Sequence, residues 1–195
     1  MKQRWIAILV LAAACGGGSG GGGGTVNSGL PPDEKLSELD DASLQKICQA
    51  FDDGYNSAIT PSDSVRVECT GTAIESSASN VNGEIVVDVQ KCQQMADACV
   101  ANPPQNVTDD SAAPDLDCTT AMQNSNLQNC GATVHEFEAC VNAMISEVEN
   151  LRAMLTCANG KMLLSSDQDI NFASLPECKS LQTDCPNFPL MVTSP

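Results

Sequence analysis

Large aromatic side chains and positive charge are both scarce in this chain, and each scarcity excludes something. Of 195 residues, one is Trp, one Tyr and four Phe, so a core built on aromatic bulk is ruled out. Nine Lys and Arg stand against 25 Asp and Glu, a formal charge of −16. Nucleic-acid binding rests on Lys and Arg neutralising phosphates, so it is set aside, and so is docking of the folded part onto anionic lipid. There is one histidine, His135. No two cysteines lie within a CxxC spacing, which argues against structural zinc and thioredoxin-type redox chemistry. GxSxG elbows, phosphate-cradling glycine loops and dinucleotide fingerprints are absent as well. No cofactor or metal is expected.

What the chain does have begins at its N-terminus. Lys2 and Arg4 precede an apolar run from Trp5 to Ala14, far shorter than the roughly 20 residues that span a bilayer but suited to the core of a secretory signal. The run ends Leu11-Ala12-Ala13-Ala14-Cys15. This junction resembles the lipobox of bacterial lipoproteins, with Ala12 where that family usually has Leu. The resemblance implies cleavage after residue 14 and lipidation of Cys15 by palmitate-type acyl chains. It also implies attachment to the cell envelope, and Gly16 after the anchor, where an Asp would suggest inner-membrane retention, points towards the outer membrane. The folded part would then face the periplasm or the cell surface. Residues 15–33, opening on a glycine run, read as a flexible tether. Without residues 1–14 the chain keeps seven Lys and Arg against 25 acidic residues, a charge of −18.

Eleven cysteines less Cys15 leave ten: Cys48, Cys69, Cys92, Cys99, Cys118, Cys130, Cys140, Cys157, Cys178 and Cys185. An even number in an exported chain implies a disulfide framework, although ten cysteines allow about 945 pairings. Cys92 and Cys99 are seven residues apart, about 10 Å along one helix, so they share a face and reach different neighbours. Cys99 with Cys118 is the expected partnership, closing a Pro- and Asp-rich loop over 102–117.

Residues 34–195 are expected to form one mainly α, disulfide-stapled domain of four to five helices, with room for a short β-hairpin. Leu44, Ile47, Cys48, Phe51 and Tyr55 form one stripe of a helix over 40–55, capped by Asp40 or Asp41 and ended near Gly54 and Asn56. A second helix is expected over 88–100. A third runs over 133–157 from a Thr133/Glu136 capping box, with Val134, Phe137, Val141, Met144, Val148, Leu151 and Leu155 inward. Cys140 and Ile145 widen that seam, which makes it a core helix rather than a coiled coil. A final helix is expected from Ser174, boxed by Glu177, with Cys178 and Leu181 inward. The alternation of Val65, Val67 and Cys69, with an Asn82-Gly83 turn before Glu84–Val87, suggests a small antiparallel pair.

The pattern Leu44…Cys48, Val67-Glu68-Cys69, Lys91-Cys92 and Cys130…Phe137…Ala139-Cys140-Val141 resembles small, Gly-tethered, cysteine-rich lipoproteins of myxobacterial type over most of 39–157. The 102–117 loop departs from that pattern. The resemblance implies a cell address and a helical disulfide fold, and no activity.

Chemistry is harder to find. His135-Glu136 opens like HExxH, but Ala139 replaces the second histidine, and Glu136 stands where a secreted phospholipase has Asp. His135 therefore reads as a first-turn helix residue. Asp109, Asp110, Asp115 and Asp117 lack the EF-hand spacing, and Asp52-Asp53-Gly54 reads as helix-end turn chemistry. No catalytic residue is assigned. The function expected is a non-enzymatic, lipid-anchored envelope protein that binds a protein or glycan partner or serves structurally. Its alternatives are an envelope or extracellular hydrolase using a carboxylate pair, and an inhibitor or immunity-type module.

Overall fold

A computed structural model describes residues 24–104, 129–165 and 172–185. Among these the chain is mainly helical, with six α-helices, several single 3-10 turns and one two-stranded antiparallel hairpin.

Helix α1, Asp41–Ala58, starts where the Asp40 carboxylate accepts the Ser43 N–H at 2.8 Å. Ile47 and Cys48 are buried on its inner stripe, and Leu44, Phe51 and Tyr55 pack against the same core. The helix passes through Gly54 and Asn56 instead of ending there, so Asp52-Asp53-Gly54 is helix interior and not a turn. Gly54 serves close packing instead: a Cβ built on it would lie 2.7 Å from Val26 Cγ2.

Two residues later comes α2, Pro61–Ser77, which replaces the strand expected at Val65–Cys69. The local signal for a helix is strong. Pro61 sits at the first helical position, and Thr60 and Asp63 form a reciprocal capping box, with Thr60 N–H donating to Asp63 Oδ2 at 3.1 Å. The buried residues Cys69, Ala73, Ile74 and Ser77 recur at three- and four-residue steps, so the two-residue alternation earlier in the segment carries no strand.

The hairpin's first strand lies later, with β1, Ala78–Val81, pairing β2, Glu84–Val87, in the register Ala78↔Val87 to Val81↔Glu84. The Asn82-Gly83 turn performs as its sequence suggests. Both residues have positive φ, 55° and 89°, the geometry that lets a two-residue loop follow the strands' twist. Helix α3, Val89–Ala101, then returns along α2, capped by Asp88, whose carboxylate accepts the Lys91 N–H. It stops before Pro103; residues 105–117 of the expected loop lie outside the described residues.

Helix α4, Val134–Met154, opens on the expected Thr133/Glu136 box and buries Val134, Phe137, Cys140, Val141 and Ile145. A 3-10 turn, Cys157–Asn159, leads into α5, Gly160–Ser165, which lies against the inner face of the hairpin: a Cβ on Gly160 would meet Ile74 Cγ2 at 3.1 Å and Val87 Cγ1 at 3.2 Å. At the end of the chain the single helix expected from Ser174 is divided. Turns Phe172–Ser174 and Pro176–Cys178 precede α6, Lys179–Asp184, and Pro176 rather than a Ser174 box opens the last stretch. Cys178 and Leu181 face inward and are almost fully buried.

The largest departure from expectation lies before α1. Residues 24–33, read as the distal part of a flexible tether, lie as a strap antiparallel to α4. Val26 is 2 % exposed, and the Asn142 amide grips its backbone from both sides, accepting its N–H at 2.6 Å and donating to its carbonyl at 3.1 Å. Ser28 donates its N–H and its hydroxyl to Glu138 Oε1, each at 2.7 Å. Further along, the carbonyls of Glu34 and Pro32 accept the N–H groups of Val134 and His135 at 2.9 and 3.0 Å, and Thr133 Oγ1 accepts that of Glu136. The first three N–H groups of α4, which no helix can satisfy internally, are thus all taken.

Two predictions follow from the strap. Val26→Ala should cost about 2 kcal/mol in denaturant unfolding under non-reducing conditions, the loss from truncating a buried aliphatic side chain. Gly54→Ala should also destabilise, but the double variant should cost less than the two singles together, because removing Val26 Cγ2 makes room for the new methyl.

Candidate functional site

Cross-links are the feature that organises the described chemistry. Four bridges join pairs of described cysteines: Cys69–Cys99, Cys92–Cys157, Cys130–Cys185 and Cys140–Cys178, with Cα separations of 5.6, 5.8, 4.3 and 4.5 Å. Cys99 therefore joins Cys69 on the facing helix, not Cys118. The physical reason is the antiparallel packing of α2 on α3, which lays the last turn of α3 beside the middle of α2. Cys92 and Cys99 do share a face of α3 and do reach different neighbours, the 157–159 turn and α2. Cys48 is disulfide-bonded too. Cys15 and Cys118 lie outside the described residues. A set of bridges this dense belongs to an oxidising, extracytoplasmic compartment.

With these sulfurs in bridges, the described cysteines offer neither thiolate nucleophiles nor ligands. Among the described residues no group of three or more His, Cys, Asp or Glu side chains is disposed to hold a metal ion. His135 sits exposed on the first turn of α4, where its backbone N–H is bound to Pro32. Its neighbour Glu136 is committed to the cap, accepting the Thr133 N–H at 2.8 Å and the Thr133 hydroxyl at 3.1 Å, so the pair is not arranged as acid and base. Asp109, Asp110, Asp115 and Asp117 lie outside the described residues.

Among the described residues three carboxylates are displaced from their ordinary pKa, all downward and all in helix caps. For Glu136 the Thr133 backbone N–H is the main cause, opposed by burial and assisted by the Thr133 and Ser180 hydroxyls and by His135. For Asp63 burial pushes upward, but the two hydrogen bonds from Thr60 and the charges of Arg152 and Arg66 outweigh it. Asp40 is lowered chiefly by its hydrogen bonds with Ser43. Carboxylates held in the ionised form do not serve as general acids near neutrality.

The polar centre that the sequence does not reveal lies around Arg152. Its guanidinium meets Asp63 Oδ2 at 3.0 Å, and the same Nη1 donates to the Ala58 carbonyl at 3.1 Å. Residues 58, 63 and 152 share no spacing pattern that would have identified them together; the Thr60-Pro61-Ser62-Asp63 capping signal, passed over by the strand expected at Val65–Cys69, marks Asp63 alone.

Exposed apolar side chains concentrate at the hairpin. The register puts Val81 and Val86 on its outer face, 50 % and 43 % exposed, and Val89 follows at 48 %. The inner face, with Ile85 and Val87, turns to α5. No helix of the described residues is long and apolar enough to cross a membrane. No protein-family model, curated protein or solved structure matches this chain.

Non-reducing peptide mapping should recover the four linked pairs and no Cys99–Cys118 peptide. The caps set an acid limit. Because Asp63 and Glu136 titrate lower in the folded state than their ordinary 3.8 and 4.5, their stabilisation is complete above those values. It is lost as pH falls through the lowered folded values. Chemical denaturation at a series of pH values should therefore show stability falling below about pH 4.5, and Asp63→Asn with Glu136→Gln should flatten that decline.

Proposed function

We propose that this protein is a lipid-anchored lipoprotein of a bacterial cell envelope, held at the outer membrane through acylated Cys15. Its cross-linked helical domain serves a non-enzymatic binding or structural role towards a protein or glycan partner. The observation that carries the reading is the Leu11-Ala12-Ala13-Ala14-Cys15 junction, standing before a disulfide-bonded domain that needs an oxidising compartment. The two agree on export by independent routes. One is a targeting signal and the other is redox chemistry.

The domain's own features support a binding or structural role. Its displaced carboxylates are spent on helix caps, its bonded cysteines are spent on bridges, and its charge is strongly acidic. Two or three acyl chains on one cysteine make anchoring effectively permanent, whereas a single chain binds only marginally. The docked strap shortens the linkage: 24–33 lie on the domain, so only the glycine-rich stretch after Cys15 separates the lipid from packed structure.

Cys15→Ser is the decisive variant. Expressed in a bacterial host with its own signal, it should move from the membrane fraction to the soluble fraction and lose the mass of the acyl chains, while the folded domain keeps its bridges. Retention in the membrane fraction without acylation would overturn the lipid-anchor reading.

A further inference from the structure

The buried apolar residues form two clusters, not one. The first joins Val26, Leu36, Ile47, Ile59, Val134, Phe137, Val141, Ile145 and Leu181, and the second joins Ala73, Ile74, Ala96 and Leu163. The four bridges between described cysteines divide in the same way. Cys130–Cys185 and Cys140–Cys178 cross-link the first, whereas Cys69–Cys99 and Cys92–Cys157 cross-link the second. The extensive packing between elements follows this division: α4 with the 176–178 turn, α6 and α1 on one side, and α2 with α3, the hairpin with α5 on the other. One lobe comprises residues 24–59, 129–154 and 172–185, and the other comprises residues 60–101 and 155–165.

Two described crossings join the lobes, and they are alike. Ile59-Thr60 separates α1 from α2, and Leu155-Thr156 separates α4 from the 157–159 turn; Ile59, Thr60 and Thr156 are extended, and Leu155 has left helical geometry at ψ 81°. Each crossing is pinned to a different lobe, Ile59 in the first core and Leu155 against the second. Arg152 stands in the last turn of α4, next to the second crossing, and reaches the first: it holds the final carbonyl of α1 through Ala58 and the opening carboxylate of α2 through Asp63. Across the second crossing, Asn159 Nδ2 donates to the Met154 carbonyl at 2.9 Å. Domain hinges are commonly a few element-terminal residues that absorb the change in φ and ψ between two stiff bodies.

We infer that the domain is a hinged pair of separately cross-linked lobes, with Ile59-Thr60 and Leu155-Thr156 as the hinge strands and Arg152 as the clasp that sets the angle between them. The cross-links make each lobe stiff and leave the junction as the place where the molecule bends. Partner engagement can then adjust the lobes without opening either core.

The test is hydrogen exchange on the full oxidised chain, comparing wild type with Arg152→Met, which keeps an unbranched stem and removes the guanidinium. Amides at the crossings, those of Ile59, Asp63, Leu155 and Thr156, should exchange about tenfold faster, the scale of losing one charge-assisted hydrogen bond. Core amides of each lobe, at Cys92–Ala96 and Phe137–Val141, should be unchanged. Arg152→Lys, which keeps the charge without the planar fork, should fall between. Acceleration of the core amides together with the crossings would mean that Arg152 stabilises one cooperative body and would overturn the hinge. Unchanged crossings would overturn the clasp. Native lysines give a second readout, since Lys35, Lys46 and Lys179 lie in one lobe and Lys91 and Lys161 in the other. Amine cross-links between the lobes should change in yield on Arg152→Met, and an identical pattern would count against lobe motion.

Discussion

Covalent cross-linking between helices is the constraint around which the rest of this domain is arranged. Aromatic bulk is scarce: Phe137 is the one buried aromatic among the described residues, and the other buried apolar positions are filled by Ile, Val, Leu, Ala and half-cystines. A disulfide of this kind contributes about 2–4 kcal/mol, mainly by restricting the unfolded chain. The half-cystines also fill volume: Cys69, Cys92, Cys130, Cys140 and Cys178 are among the most deeply buried residues in the molecule. Bridges here are the core as much as they reinforce it.

That economy has a structural consequence. A core spread over small residues and bridges does not need to be continuous, and this one divides in two, each half holding two of the bridges between described cysteines. Polar contacts then do at the junction what burial does elsewhere. The Thr60/Asp63 cap starts α2, and its carboxylate is used a second time as the anchor of Arg152. Along α4, Asn142 and Glu138 play the same part for the strap, each holding backbone or hydroxyl donors from a segment more than a hundred residues away in sequence. Acidic residues that look like bare surface charge in the composition are thus partly structural.

For function, the division of labour we propose is between an N-terminal address and a stiff but jointed body. The strap matters to both. By closing the N-terminus of α4 with the carbonyls of Pro32 and Glu34, it satisfies the donors that could otherwise have received an anion, and it ties the segment before α1 directly to the longest of the described helices. Under the proposed anchoring at Cys15, a pull on the N-terminus would be delivered to α4 and to the Cys140–Cys178 bridge it carries. The hairpin is joined to α2 at the end opposite the first crossing, and its outer face carries the exposed Val81 and Val86 together with Ser79 and Glu84.

The amino-acid order alone determined the helical class, the Asn82-Gly83 hairpin turn and the start of α4, because these rest on contacts within about four residues. Caps, turns and stripes are local, and local chemistry is written in consecutive letters. It misled where a local pattern admitted two periods, as at Val65–Cys69. It misled again where a glycine served packing instead of termination, as at Gly54. Which cysteines pair, where the strap docks, how the core divides and what Arg152 holds were decided by the tertiary structure. Each of these joins residues tens to more than a hundred positions apart, and no spacing rule relates them until the helices have chosen their neighbours.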